Sequence, residues 1–145
     1  MIAKWTAGVS ALAGLLLLGT TTPADASPAA GQWRSQQEDG VIEIYDCGQK
    51  LCGRGMPTPE QRAAAVAIRD VKNPDPALRS RSLLGIEVLQ GFTGGPKLWT
   101  GGSIYRPQDG KTYKGRIELI DESTLKLTGC VMEPFCKSII WKRAS

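Results

Sequence analysis

The chain has 145 residues, a formal charge of +4 and an apolar share of 41 %. It contains no histidine, which removes the commonest general base and a common metal ligand. The basic residues are scattered along alternating stretches, the pattern of a solvated face; together with export, this argues against a nucleic-acid partner.

Met1 to Lys4 is a short, weakly positive start, followed by "AGVSALAGLLLLG" with its densest apolar block at Leu15–Leu18. Ala24-Asp25-Ala26 puts small residues where a signal peptidase reads. The expectation is a signal peptide over residues 1–26, cleaved after Ala26, with signal peptidase as a partner during export. A membrane anchor is the alternative. The apolar run is shorter than the roughly 18–20 residues a span needs, and Thr20, Thr21, Thr22 and Pro23 end it. The first cysteine is Cys47, so no lipid-attachment cysteine lies near the cleavage site. The mature chain, residues 27–145, then suits one periplasmic or extracellular domain that buries roughly two thirds of its surface.

The mature segment reads as hairpins. A first strand covers Gln32–Gln36 and turns at "QEDG". "VIEIYD" places Ile42 and Ile44 on one face. "KLCGRGM" follows a tight turn. Next, Thr58-Pro59-Glu60 has the form of an N-cap with proline at the first helical position. The alanine-rich "EQRAAAVAIRD" predicts a helix to about Asp70. Each proline of "NPDP" then drives its predecessor out of helical geometry. The strap "NPDPALRSRSLLG" leads to a fourth strand, "IEVLQGF". Asn73 and Asp75 are placed to accept backbone N–H bonds within it. Leu83 and Leu84 are expected to fix the strap to the sheet, and the helix and strap together to cover an open end.

"KLWTGGSIY" is the fifth strand, and "PQDG" is a proline-led turn closed by glycine. "TYKGRIELI" puts Tyr113, Gly115, Ile117 and Leu119 on one face. "TLKLTGCV" does the same with Leu125, Leu127, Gly129 and Val131. "KSIIWKR" closes the chain. About eight strands at regular spacing predict an all-β antiparallel up-and-down barrel with one helix-plus-loop insertion; a sandwich is the alternative. Gly101, Gly102, Gly115 and Gly129 interrupt strand patterns. They mark sharp curvature, or room left for a ligand.

Cys47 and Cys52 are separated by four residues, Cys130 and Cys136 by five. Four cysteines allow three pairings, and the sequence neighbours are the simplest, each pinning a hairpin. The spacing is not that of a zinc site, and an oxidising compartment favours disulfides. No metal and no cofactor is expected. Nor is an enzyme: the cysteines are tied up, no carboxylate pair stands out, and Ser80 and Ser82 beside Arg79 and Arg81 lack a base.

Two stretches carry resemblances. "GQW" at Gly31–Trp33 resembles the Gly-x-Trp signature of the calycins. That likeness implies a basic residue of the last strand packed across the tryptophan at the barrel floor. Arg143 is the matching position, and the stack would contribute about 1–2 kcal/mol. More broadly, "CGQKLCG", "NPDPALRSRSLLG", "GGSIYRPQDGKTYKG", "TLKLTGCV" and "WKR" in this order resemble the bacterial secreted family called domain of unknown function 2147. The match runs from Gly31 to Arg143; the Gln61–Ile68 stretch is longer here than the family pattern. It implies a lipocalin-like barrel and no particular activity.

Two functions fit. One is a barrel binding a small apolar or amphipathic ligand, lined by Trp99, Tyr105 and Tyr113. Arg79 or Arg81, sharing one face of an extended strap, would meet an anionic head group, or Asp75 or Glu87 if their role is structural. The other is a cell-envelope interaction or structural module with a filled barrel. A continuous interior volume of about 300 Å³ or more separates them in favour of a ligand.

Overall fold

The structure is a computed structural model that describes residues 25–64 and 68–144, with Gly14 and Gly19. The leader expected over residues 1–26 falls largely outside the described residues, as do Ala65, Val66 and Ala67.

Eight antiparallel strands, each paired with its neighbours in sequence, close into a barrel: β1 (Gly31–Ser35), β2 (Val41–Cys47), β3 (Lys50–Met56), β4 (Glu87–Gly94), β5 (Leu98–Arg106), β6 (Lys111–Asp121), β7 (Thr124–Met132) and β8 (Phe135–Arg143). Closure is made by β1 on β8, where Trp33 faces Arg143 and Ser35 faces Trp141. The barrel is therefore complete within residues 31–143 and has no free strand edge. Disulfides join Cys47 to Cys52 across the β2–β3 hairpin and Cys130 to Cys136 across the β7–β8 hairpin.

The up-and-down order sorts the loops into two ends. The N-terminal segment and the β2–β3, β4–β5 and β6–β7 turns form one end; the other carries the β1–β2, β5–β6 and β7–β8 turns and the β3–β4 insertion. The first end is solid. Trp33, Ile44, Leu51, Phe92, Ile117 and Leu125 are almost wholly buried there. Arg143 seals it. Its guanidinium lies 4.2 Å from the centre of the Trp33 ring. Its nitrogens donate to the carbonyls of Pro28 (2.7 Å), Ala30 (2.8 Å) and Glu122 (2.7 Å). Trp33 Nε1 donates to Ala29 O at 2.9 Å, so the segment before β1 is held on the barrel floor.

Gly102, Gly115 and Gly129 lie opposite one another on three adjacent strands. A methyl group at Gly102 would overlap the Phe92 ring, and one at Gly115 would overlap Ile104 Cδ1 and press on Thr128 O. The side chains missing from this row make room for Phe92 and Ile104 rather than for a ligand, because the barrel is too narrow there for both. Only Gly129, over which Tyr113 and Ile104 pack loosely, borders a cavity.

Two local expectations change. The helix, α1, covers Pro59–Ala64, and its N-terminus is a capping box. Gln61 N donates to Thr58 Oγ1 at 3.1 Å, and Thr58 N to Gln61 Oε1 at 2.9 Å. It does not continue to Asp70. Arg69 instead pairs in extended geometry with Ser82, and Leu83 N bonds Ile68 O at 2.8 Å. Tertiary pairing with the returning strap outweighs alanine-rich helix propensity there. Val131, expected on the inner face of β7, is 74 % exposed. The register slips between Cys130 and Met132, and the strand runs on past the core.

Candidate functional site

The open end contains an apolar cavity of about 340 Å³. Ile42, Val88, Leu89 and Trp141 form its walls, and Leu83 and Leu84 of the strap its cover. Ile104, Arg106, Leu127 and Ile139 are shared with an adjoining volume of about 490 Å³ that reaches Tyr113 and the β7–β8 hairpin. The packed lower half supplies stability, which leaves the upper half free to stay unfilled.

Two polar clusters frame this space. The first is built by turns. Arg106 ends β5, and its guanidinium donates to Glu38 Oε1 at 2.5 Å and Asp109 Oδ2 at 3.1 Å. Lys137 stands 3.5 Å from the same Glu38 oxygen, and Tyr113 O–H donates to Asp109 Oδ2 at 2.6 Å. Burial would raise the Asp109 pKa, but hydrogen bonds from Tyr113, the Lys111 amide and Arg106 outweigh it and hold the carboxyl below its usual range. The Tyr113 hydroxyl is pushed up, first by its bond to Asp109.

The second cluster fastens the strap. Asp70 has no exposed surface. Its Oδ1 accepts from Tyr105 O–H at 2.5 Å, and its Oδ2 from Asn73 Nδ2 at 2.8 Å and Arg81 Nε at 2.9 Å. Burial again works to raise the Asp70 pKa, and these three donors reverse the sign, leaving it lowered. Tyr105 is raised, by burial first and then by Asp70. The local turns supply the rest: Asn73 Oδ1 accepts from Asp75 N at 2.9 Å and Asp75 Oδ1 from Ala77 N at 3.0 Å, leading into a 3₁₀ turn at Pro76–Leu78. Gly110 closes the β5–β6 turn at φ +69°, and the strap's Lys72 carbonyl lies where a Cβ would be.

Of the residues singled out by sequence, Tyr105 borders the first cavity and Tyr113 the second. Arg79 and Arg81 border neither. Arg79 Nε bonds Asn73 O at 2.8 Å, and Arg81 pairs with Asp70 rather than with Asp75 or Glu87. The chain folds back between Asp70 and Arg81, bringing together charges eleven residues apart, which an extended reading of the strap does not anticipate. Trp99 is buried at the opposite end beside Gly95, where it borders a separate, polar-lined surface volume of about 310 Å³ and not the apolar cavities. Sequence reading missed Arg106, Glu38 and Asp109: Glu38 and Asp109 were read only as parts of the turns "QEDG" and "PQDG", and Arg106 fell between a strand and a turn. The available signal was topological: in an up-and-down barrel, "QEDG" and "RPQDG" fall at the same end. Among the described residues, Cys130, Glu133 and Cys136 cluster as metal ligands would, but the two sulfurs are bonded to each other and offer no thiolate.

A closed eight-stranded barrel with a Trp–Arg floor, one solid end and one hollow end defines a lipocalin-like protein. Among solved structures, the chain is similar to HP1028 of Helicobacter pylori, described as belonging to the lipocalin family. The two share 26 % identity over 82 % of this chain and 84 % of that one, with a TM-score of 0.72. The chain belongs to the family described as "Uncharacterized protein conserved in bacteria (DUF2147)", whose model matches residues 31–143. No curated protein matches it.

Proposed function

We propose that this chain is an exported, non-enzymatic barrel that takes a small apolar or amphipathic ligand into its open end. The observation that carries the reading is the cavity of about 340 Å³, apolar in its walls, adjoining a second volume under the same rim. It exceeds the roughly 300 Å³ at which pockets for small molecules begin. The lipocalin-like fold supports the same reading. The polar group at the rim holds Arg106 and Lys137 against Glu38 and Asp109. Its cations are already matched by carboxylates, so it suits an uncharged or zwitterionic head group better than an acid. Arg79 and Arg81 serve the strap in this scheme.

Export is supported by the two disulfides and by the bacterial family. A local feature adds to it. Ser27 N lies 3.0 Å from Asp46 Oδ2. Cleavage after Ala26 would turn that amide into an ammonium and the hydrogen bond into an ion pair.

The test is titration of residues 27–145 with a fluorescent fatty-acid analogue and with its uncharged alcohol counterpart, alongside native mass spectrometry of protein recovered from the periplasm. Saturable one-to-one binding is expected, abolished by Ile139→Trp, which fills the wall shared by both volumes. Absence of saturable binding, or binding indifferent to Ile139→Trp, would refute the reading.

A further inference from the structure

The β7–β8 hairpin turns at Glu133-Pro134, and the strand ends on either side of that turn carry large apolar side chains. Val131, Met132 and Phe135 are 74 %, 63 % and 69 % exposed, and Met132 faces Phe135 across the turn. The Cys130–Cys136 disulfide closes the base of this tip, so it projects as a stiff wedge. Adjacent large apolar side chains held in water mark a surface that meets something. The wedge stands at the open end, and Val131, Pro134 and Phe135 form one wall of the second cavity.

The charges around it say what the partner is. Lys114 lies opposite Cys130 on β6 and is exposed, as is Lys111 at the start of that strand; Lys137, just past the disulfide, is exposed too but is held 3.5 Å from Glu38. The one carboxylate on the tip, Glu133, is engaged by Arg116 at 3.3 Å. Apolar side chains with a collar of lysines match an anionic bilayer, whose headgroups take the lysines while the interface takes the apolar tip. A second copy of the chain fits less well. Three side chains offer on the order of 300 Å², against about 800 Å² per partner in a stable interface, and the closed barrel has no strand edge to add.

We propose that this hairpin seats the open end of the barrel on an anionic membrane surface, with Phe135, Met132 and Val131 in the interfacial layer and Lys111 and Lys114 on the headgroups. The proposal goes beyond the ligand reading and stands without it, since an empty barrel would dock equally well.

The experiment is co-sedimentation of residues 27–145, the segment that contains the whole barrel, with vesicles of phosphatidylcholine with and without phosphatidylglycerol. Binding is expected only with phosphatidylglycerol. Val131→Thr with Phe135→Ser, both at exposed positions, should weaken it about tenfold or more while leaving the melting temperature unchanged. Lys111→Gln with Lys114→Gln should weaken it several-fold, and Ile139→Trp should leave it intact even where ligand binding is lost. Partition equal for the wild type and the Val131/Phe135 variant would overturn the proposal. So would binding that ignores phosphatidylglycerol, or a dimer in sedimentation equilibrium that Phe135→Ser disperses.

Discussion

Replacing Asp70 by Asn keeps the volume of a side chain with no exposed surface and removes its charge. The amide oxygen can still accept from Tyr105, but the new NH₂ then faces Asn73 Nδ2 and Arg81 Nε at 2.8 and 2.9 Å, donor against donor, and Asn73 keeps only its longer bond to the Tyr105 oxygen at 3.2 Å. Losing a hydrogen bond to a buried charge costs about 1.5–3 kcal/mol. The Arg81 side chain is 36 % exposed, so solvent screens its share to below about 1 kcal/mol. The expected total for Asp70→Asn is about 3 kcal/mol. Tyr105→Phe, which leaves Oδ1 without a donor, should cost about 2 kcal/mol, and Arg81→Ala about 1 kcal/mol or less.

The assay is urea unfolding combined with limited trypsin digestion, because Arg69, Lys72, Arg79 and Arg81 are cleavage sites on or beside the strap. Cleavage there should accelerate in the same order as the stability losses. A double-mutant cycle on Asp70 and Tyr105 should show a coupling of about 1–2 kcal/mol. If Asp70→Asn matched the wild type within about 0.5 kcal/mol and its strap resisted trypsin equally, the reasoning would fail. Strict additivity of the two substitutions would also count against it.

The same latch sets a pH dependence. The folded pKa of Asp70 lies below its unfolded value, so its contribution is complete above the ordinary range near 3.9 and is lost as pH falls through the folded value. Tyr105, raised in the fold, contributes below about pH 10 and loses that contribution as pH rises through its folded value. The difference in urea stability between wild type and Asp70→Asn should therefore shrink below about pH 4; a constant difference across that range would contradict the assignment. At the barrel floor, Arg143→Ala should cost about 2–3 kcal/mol, since it removes the stack on Trp33 and three carbonyl contacts. Arg143→Lys should recover only part of this, as a single ammonium cannot make the fork. Gly102→Ala should destabilise by about 1–3 kcal/mol through overlap with Phe92. Adding Phe92→Leu should cost less than it does in the wild type, as read by thermal melts.

The strands were legible because alternation of apolar and polar residues is a local property. "TYKGRIELI" already puts Ile117 inside, and the observed β6, Lys111–Asp121, brackets it. The disulfide pairing was legible for the same reason, since each pair lies within one hairpin. Trp33 and Arg143, at opposite ends of the chain, came within reach only through the resemblance of "GQW" to a known signature. The local turn bonds of Asn73 and Asp75 were legible too; what lay outside the sequence were the long-range polar contacts made by the loops. The helix pattern through Asp70 was misleading because Arg69 finds a strand partner in Ser82, and that partner exists only once the strap has folded back. Asp70 read as an ordinary helix-end charge; it is the buried acceptor to which Tyr105, Asn73 and Arg81 converge.

Sequence by itself determined the number and order of the strands, the hairpin disulfides and the absence of imidazole chemistry, because these depend on spacing and composition. Tertiary structure alone decided that the glycine row receives Phe92 and Ile104, and that Arg106 rather than Arg79 or Arg81 stands at the cavity. It also left Val131 outside the core. Each of these depends on which loops share an end of the barrel and how closely its walls approach, distances that arise only when strand β8 closes on β1.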